Sequence, residues 1–270
     1  MFGKLCKYEW KYLMRFFLPM WGVVLLLSVI NRFSMPMMVN GGGSNGKEIA
    51  GAMLFLALVI ATCAVCVVAM VVIIQRFYNG LLKDEGYLMF TLPVKSGALI
   101  NAKGLVAVVM MLITGVVCVA VIFIVATAGA SWMDFRDFFR EFGEMLRVSP
   151  LDSAMIILWG IVLCVAGTAA ELYRIYMAMA LGHLAKKHRV GWAVVAYIGV
   201  VMVQSTLSNI ILFNVDWDGT WNFLDRIVSG MSGTQVVVVS ELAFSVGYAL
   251  LTALFFFVTR QILEKRLNLE

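Results

Sequence analysis

Glu171 and Arg174 stand three residues apart inside an otherwise apolar run, which puts a carboxylate and a guanidinium on one helical face. Such a pair does one of two things. It neutralises itself as an ion pair near a membrane surface, or it offers a carboxylate to a proton or cation on a path through the bilayer. Glu171 shares its face with Gly160, Cys164, Gly167 and Thr168, small residues that mark close helix contact in membranes, so it is expected to face protein. A second polar group comes from two apolar runs of opposite direction. Gln204, Ser205, Ser208 and Asn209 fall near the outer end of one, and Ser240, Glu241 and Ser245 fall at matching depth on the other. These side chains either line a translocation route or bond helix to helix, at about 1 kcal/mol each.

Other chemistries lack their residues. No glycine-rich Lys-Ser/Thr phosphate loop occurs, so nucleotide hydrolysis in the P-loop manner is excluded. His183 and His188 are the two histidines, and no helix carries a His pair one turn apart with a Glu between, as a zinc protease needs. Glu171-Leu172-Tyr173-Arg174 is half of a glutamate-rich intramembrane protease motif, with Ala170 where a second Glu would stand. Cys63 and Cys66 form a CxxC in an apolar helix. With Cys6, Cys118 and Cys164 they read as buried free thiols, which predicts no disulfide and no zinc. The reading is of a non-enzyme with no cofactor or metal, and no nucleic acid as partner.

The elements that must position these residues are membrane spans. Hydrophobic residues make up 62% of the 270 residues and charged ones 14%, against roughly 45–50% and about 25% in soluble domains. A helix needs about 20 apolar residues to cross a hydrocarbon core about 30 Å thick. Six runs are read as spans, at 16–30, 50–74, 104–130, 154–181, 191–213 and 236–258. The first is the shortest, between Arg15 and Asn31, and relies on flanking Arg side chains reaching to the interfaces. The predicted fold is all-α, polytopic, one transmembrane domain over 1–270.

Six spans place both termini on one side, and the basic residues can then be counted. The side of the termini takes fifteen Lys and Arg, including Lys4, Lys7, Lys11, Arg76, Lys103, Arg174, Lys186 and Arg260; the other takes six, among them Arg32, Lys47, Arg136 and Arg226. The excess assigns the termini to the cytoplasm of a multi-pass protein of the cell membrane. At about 100° per residue, Phe2, Cys6, Trp10, Leu13 and Phe17 fall within an arc of about 80°, opposite Lys4, Lys7, Lys11 and Arg15. Residues 1–15 are therefore expected to form an interfacial elbow helix. Phe135, Phe138, Phe139 and Phe142 among charged residues predict a second interfacial helix on the outer surface, over 131–148. Asn40 to Gly46 reads as a flexible outer linker.

The connection between the second and third spans contains Lys83-Asp84-Glu85-Gly86-Tyr87-Leu88-Met89-Phe90-Thr91-Leu92-Pro93. Pro93 would stop a helix, and Tyr87 and Phe90 would project from nearly one face. With Gly80 before it and Ala98 to Gly104 after it, the run resembles the type-2 ABC transporter permeases of Gram-positive bacteria. Those proteins show an acidic-Gly-Tyr-Leu segment, then Thr-Leu-Pro, then a Lys at the start of the third span; Glu85, Gly86, Tyr87, Leu88, Thr91, Leu92, Pro93 and Lys103 occupy that pattern. The resemblance extends to the six-span layout and the elbow. It implies that 83–93 is a coupling helix docking on a separate cytoplasmic ABC ATPase subunit through Lys83, Asp84, Glu85, Tyr87, Leu88, Phe90, Thr91 and Leu92. It also implies a second permease subunit and ATP-driven export of a hydrophobic drug, lipid or antimicrobial peptide by alternating access. Two rival readings are an ion-coupled transporter using Glu171 or Glu241 and a non-transporting membrane assembly protein. Glu171, Arg174, Gln204, Ser208, Asn209 and Glu241 are the candidate intramembrane polar residues.

Overall fold

The computed structural model describes residues 2–39, 45–82, 96–128, 150–185, 188–214 and 230–265, with 136–137, 139–141 and 143–144 between them. Six long helices carry these residues: α1 (Phe2–Val39), α2 (Asn45–Phe77), α3 (Ser96–Ala126), α4 (Pro150–Gly182), α5 (Arg189–Asn214) and α6 (Gly233–Lys265). A π-helical turn, Tyr78–Leu82, follows α2. Among the described residues there is no strand. All six helices are long and apolar enough to cross a membrane, so the protein is an all-α, multi-pass membrane protein. The shortest, α5, has 26 residues, roughly 39 Å at 1.5 Å per residue, against a core about 30 Å thick.

The helices exceed the predicted spans, most of all at the N-terminus. The expected elbow and first span are one uninterrupted 38-residue helix that passes straight through Arg15 and Pro19. Arg15 is exposed on its flank, so its charge does not end the helix. The third span begins at Ser96, eight residues before the expected start at Gly104, because Lys103 is buried inside the helix instead of marking its edge.

The chain folds as two compact units, one of Met1–Arg76 with Leu105–Val148, the other of Phe77–Gly104 with Ser149–Glu270. In the first unit the buried stripe of α1 runs through Glu9, Leu13, Phe17, Trp21, Val24, Ser28 and Asn31, steps of three and four that keep one face inward. The expected apolar face is only partly right. Leu13 and Phe17 are buried, but Phe2 and Trp10 are exposed, and the charged Glu9 takes the place beside them.

Glu9 is buried because Arg76 of α2 meets it with two hydrogen bonds, Nε to Oε2 at 2.8 Å and Nη2 to Oε1 at 3.0 Å. The guanidinium also lies 4.1 Å from the Tyr12 ring centre. At the other end Asn31 Nδ2 donates to the Leu54 carbonyl at 2.9 Å, and Arg32 bonds the Thr127 hydroxyl and the Ile124 carbonyl of α3. Glu9 to Asn31 on α1 and Arg76 to Leu54 on α2 each span 22 residues, roughly 33 Å, which matches the hydrocarbon thickness. Between these two polar levels Trp21 Nε1 donates to Thr114 Oγ1 at 3.1 Å, and the Thr114 hydroxyl donates to the Met110 carbonyl at 2.9 Å. In the expected outer helix 131–148, the described residues are helical, Arg140 sits 3.6 Å from Asp137 and 3.9 Å from Glu144, and Phe139 meets Phe123 edge-on.

In the second unit α4 packs along α6 and α5. The small-residue face of α4 lies toward α6, with Gly160 against Glu241 and Gly167 against Tyr248. The C-terminal half of α4 is the core, with Leu172, Tyr173, Ile175, Tyr176, Met177 and Met179 buried. Phe77 stacks on Tyr176 with ring centres 3.8 Å apart, and Tyr173 meets Tyr176 and Phe256 edge-on.

Candidate functional site

Two places in the second unit hold the residues singled out from the sequence. The first is a polar network between α4 and α5. Glu171 and Arg174, one turn apart on α4, form an ion pair through Oε2 and Nη2. Tyr197 of α5 donates its hydroxyl to Glu171 Oε1 at 2.7 Å, and Arg174 Nη1 donates to Gln204 Oε1 at 3.0 Å. The Arg174 guanidinium also lies 5.4 Å from the Tyr197 ring centre. Glu171 thus uses both oxygens on fixed donors. Arg174 keeps a buried Nε without a hydrogen-bond partner among the described residues.

Gln204 and Glu241 were expected at one depth, in one polar group of α5 and α6. The structure separates them. Gln204 is drawn to α4 because the long Arg174 side chain reaches it, while Ser208 and Asn209 stay exposed on α5. Glu241 turns to α4 as well: its Oε1 lies 3.5 Å from where a Cβ on Gly160 would stand. Its Oε2 is buried with no hydrogen-bond partner among the described residues. Ser240 and Ser245 bond carbonyls of their own helix, those of Val237 and Glu241, each at 2.7 Å. Both hydroxyls are thus bonded within their own helix.

The second place is the stem of the connection between α2 and α3. Lys83, Asp84, Glu85, Tyr87, Leu88, Phe90, Thr91 and Leu92 lie outside the described residues, but both flanks are described. Gly80 in the π-turn and Lys103 on α3 meet there. A Cβ on Gly80 would stand 2.6 Å from Lys103 Nζ, so a larger residue there would make the end of the lysine side chain shift. Lys103 is 5% exposed. On the next residue, a Cβ on Gly104 would come within 2.5 Å of the Tyr173 hydroxyl, which donates to Asn101 Oδ1 at 2.9 Å. Leu81, Leu99 and Ile100 close the stem as buried apolar residues. The two chain ends of the segment are therefore clamped by one lysine and two glycines, on the aromatic core of α4.

The cysteines differ from their reading as buried thiols. All five are free; Cys63, Cys66 and Cys164 are exposed within their spans and Cys6 and Cys118 partly so. Cys66 of α2 and Cys118 of α3 bring their Sγ atoms to 3.7 Å, a contact that the CxxC spacing did not announce. Among the described residues no group of three or more His, Cys, Asp and Glu side chains is arranged to hold a metal ion. His183 accepts an Arg189 Nη1 contact at 3.1 Å, and an open cleft of about 470 Å³ beside it is lined by Tyr78, His188, Arg189, Val190 and Gly191.

Sequence reading missed Glu9, Tyr197 and Asn101 as polar partners. Glu9 had a signal, since it lies about 20° from Phe2 on the helical wheel, on the apolar side where a carboxylate needs a cation. Tyr197 and Asn101 had none beyond their residue types, because which helices touch is decided by tertiary packing. Compared with protein-family models, with curated proteins and with solved structures, the chain matches none.

Proposed function

We propose that this chain is the membrane-spanning permease subunit of an ATP-driven ABC exporter, with both termini in the cytoplasm. It pairs with a second permease subunit and draws its energy from a separate cytoplasmic ATPase. The cargo belongs to the hydrophobic drug, lipid or antimicrobial peptide class. The observation that carries the reading is the resemblance of Glu85 to Pro93 and its flanks to the docking segment of type-2 permeases. The clamp supports it mechanically, because Gly80 and Lys103, which flank the segment in that pattern, meet at its base. A loop rooted this firmly transmits a push from a docked ATPase into α2 and α3 instead of absorbing it. The fifteen-to-six distribution of basic residues supports the orientation.

Copurification tests the reading. Aromatic anchors in a partner's pocket typically cost about 2 kcal/mol or more when truncated, which is more than tenfold in binding. Tyr87→Ala with Phe90→Ala is expected to leave membrane insertion intact while abolishing ATPase capture and transport together. Normal capture by the doubly substituted protein would reject the docking role. A second reading, an ion-coupled transporter, is favoured by the buried Oε2 of Glu241, which has no hydrogen-bond partner among the described residues. Transport driven by a proton gradient without ATP, and lost in Glu241→Gln, would select it.

A further inference from the structure

The geometry points to a redox modification site inside the bilayer: Cys66 and Cys118 form a dithiol that a lipid-soluble quinone oxidises to a disulfide joining α2 to α3. Both thiols are free, and their sulfurs are 3.7 Å apart on neighbouring helices of one compact unit. A disulfide needs about 2.05 Å, so the sulfurs must close by about 1.7 Å, within reach of side-chain rotation and a small helix adjustment.

Depth decides which oxidant applies. On α2 Cys66 stands ten residues from Arg76 and twelve from Leu54, the two polar levels of this unit. At 1.5 Å per residue that is roughly 15 Å and 18 Å, the middle of the hydrocarbon. Thiol–disulfide exchange in water proceeds through the thiolate, and a charge at this depth is heavily disfavoured. Glutathione and other hydrophilic agents are kept away in both directions, whereas quinones dissolve where the thiols are. Two S–H bonds break and one S–S bond forms. The two electrons and two protons released reduce the quinone to its hydroquinone, so the step balances without a further reactant. Cys66 is exposed within the span, which gives a quinone its approach from the lipid side. The bond would staple α2 to α3 midway between the two polar levels, and where the chain works as a permease it would slow transport, a consequence that rests on the functional reading while the chemistry does not.

The test uses the full-length protein in lipid nanodiscs, exposed either to a fully substituted benzoquinone or to oxidised glutathione, with disulfides mapped by mass spectrometry without reduction. The quinone is expected to produce the Cys66–Cys118 linked peptide at least tenfold more than oxidised glutathione does, in the native chain and in Cys63→Ser alike. Once formed, the bond is expected to resist a hydrophilic phosphine in nanodiscs and to be reduced at least tenfold faster after transfer to detergent. Cys118→Ser should remove the linked peptide. Absence of the linked peptide under quinone, a quinone adduct in its place, or equal yields from the two oxidants would overturn the proposal. Because the readout is covalent mass, it stands or falls independently of whether the chain transports anything.

Discussion

The two units solve the same problem in opposite ways. In the unit built on α1, α2 and α3 from Leu105 onward, strong polar contacts sit at the two ends of an apolar length of roughly 33 Å, Glu9 with Arg76 at one level and Asn31, Arg32 and Thr127 at the other. Between them, among the described residues, Trp21 bonds Thr114 and the Cys66 and Cys118 thiols meet across helices. In the unit built on α4, α5 and α6 the charges are inside the span: Glu171, Arg174, Tyr197 and Gln204 bond α4 to α5, and Glu241 lies against Gly160. The first arrangement leaves between its polar contacts an apolar length that matches the hydrocarbon thickness. The second spends ionisable groups where lipid makes them costly, which is why the functional candidates gather there.

The comparison is broken most forcefully by removing one guanidinium from each unit. Glu9 is 5% exposed, and Arg76→Gln strips it of two charge-assisted bonds; breaking such a buried pair costs about 3–5 kcal/mol. Arg174→Gln leaves Glu171 its Tyr197 bond and an acid side chain that is 35% exposed, so the loss should be smaller, about 1–2 kcal/mol. Thermal unfolding in one detergent ranks the two directly. A larger loss in Arg174→Gln would mean that the charge inside the span, and not the pair at its edge, anchors the fold. Glu171→Gln combined with Arg174→Gln should recover part of the loss of either change alone.

A smaller effect is expected at the stem. In Gly104→Ala the new methyl must displace the buried Tyr173 ring, whose hydroxyl is tied to Asn101. Overpacking of this kind costs about 1–3 kcal/mol. Tyr173→Phe in the same chain should not rescue it fully, because the ring carbons Cζ and Cε2 would still lie 2.7 and 3.0 Å from that methyl. Full rescue would show the hydroxyl alone to be the obstacle. If permease function holds, the single change should also slow transport more than it lowers stability, since it loosens the root of the docking segment.

The number and order of the spans were legible because five of the six apolar runs exceed 18 residues and leave few alternatives. Their ends were not. Arg15 and Lys103 were read as edges, yet one lies exposed along α1 and the other is buried beside Gly80. A charge on a long stem does not mark where its helix stops, because the stem carries the charge away from its Cα. The Glu171–Arg174 pair was legible from spacing alone, as helix geometry dictates it. Gln204 was not, since sequence gives depth along one helix but not the reach of a side chain from the next. The Cys66–Cys118 contact joins residues 52 apart and follows from packing that periodicity does not encode.

The mildest test concerns Tyr197, the residue that separates a structural network from a functional one. Its hydroxyl gives one 2.7 Å hydrogen bond to Glu171 Oε1, while Oε2 keeps Arg174. Side-chain bonds between membrane helices are worth on average about 0.6 kcal/mol, so Tyr197→Phe should lower stability by no more than about 1 kcal/mol. The ring remains for Arg174 to pack on. If the network only glues α4 to α5, transport and stability should fall together and slightly. If Glu171 exchanges partners during a cycle, Tyr197→Phe should change the transport rate several-fold at nearly unchanged stability, because the competing donor for Oε1 is gone. Measuring both quantities on the same preparation separates the two, and a parallel slight decline would return Glu171 to the role that Glu9 has in the other unit.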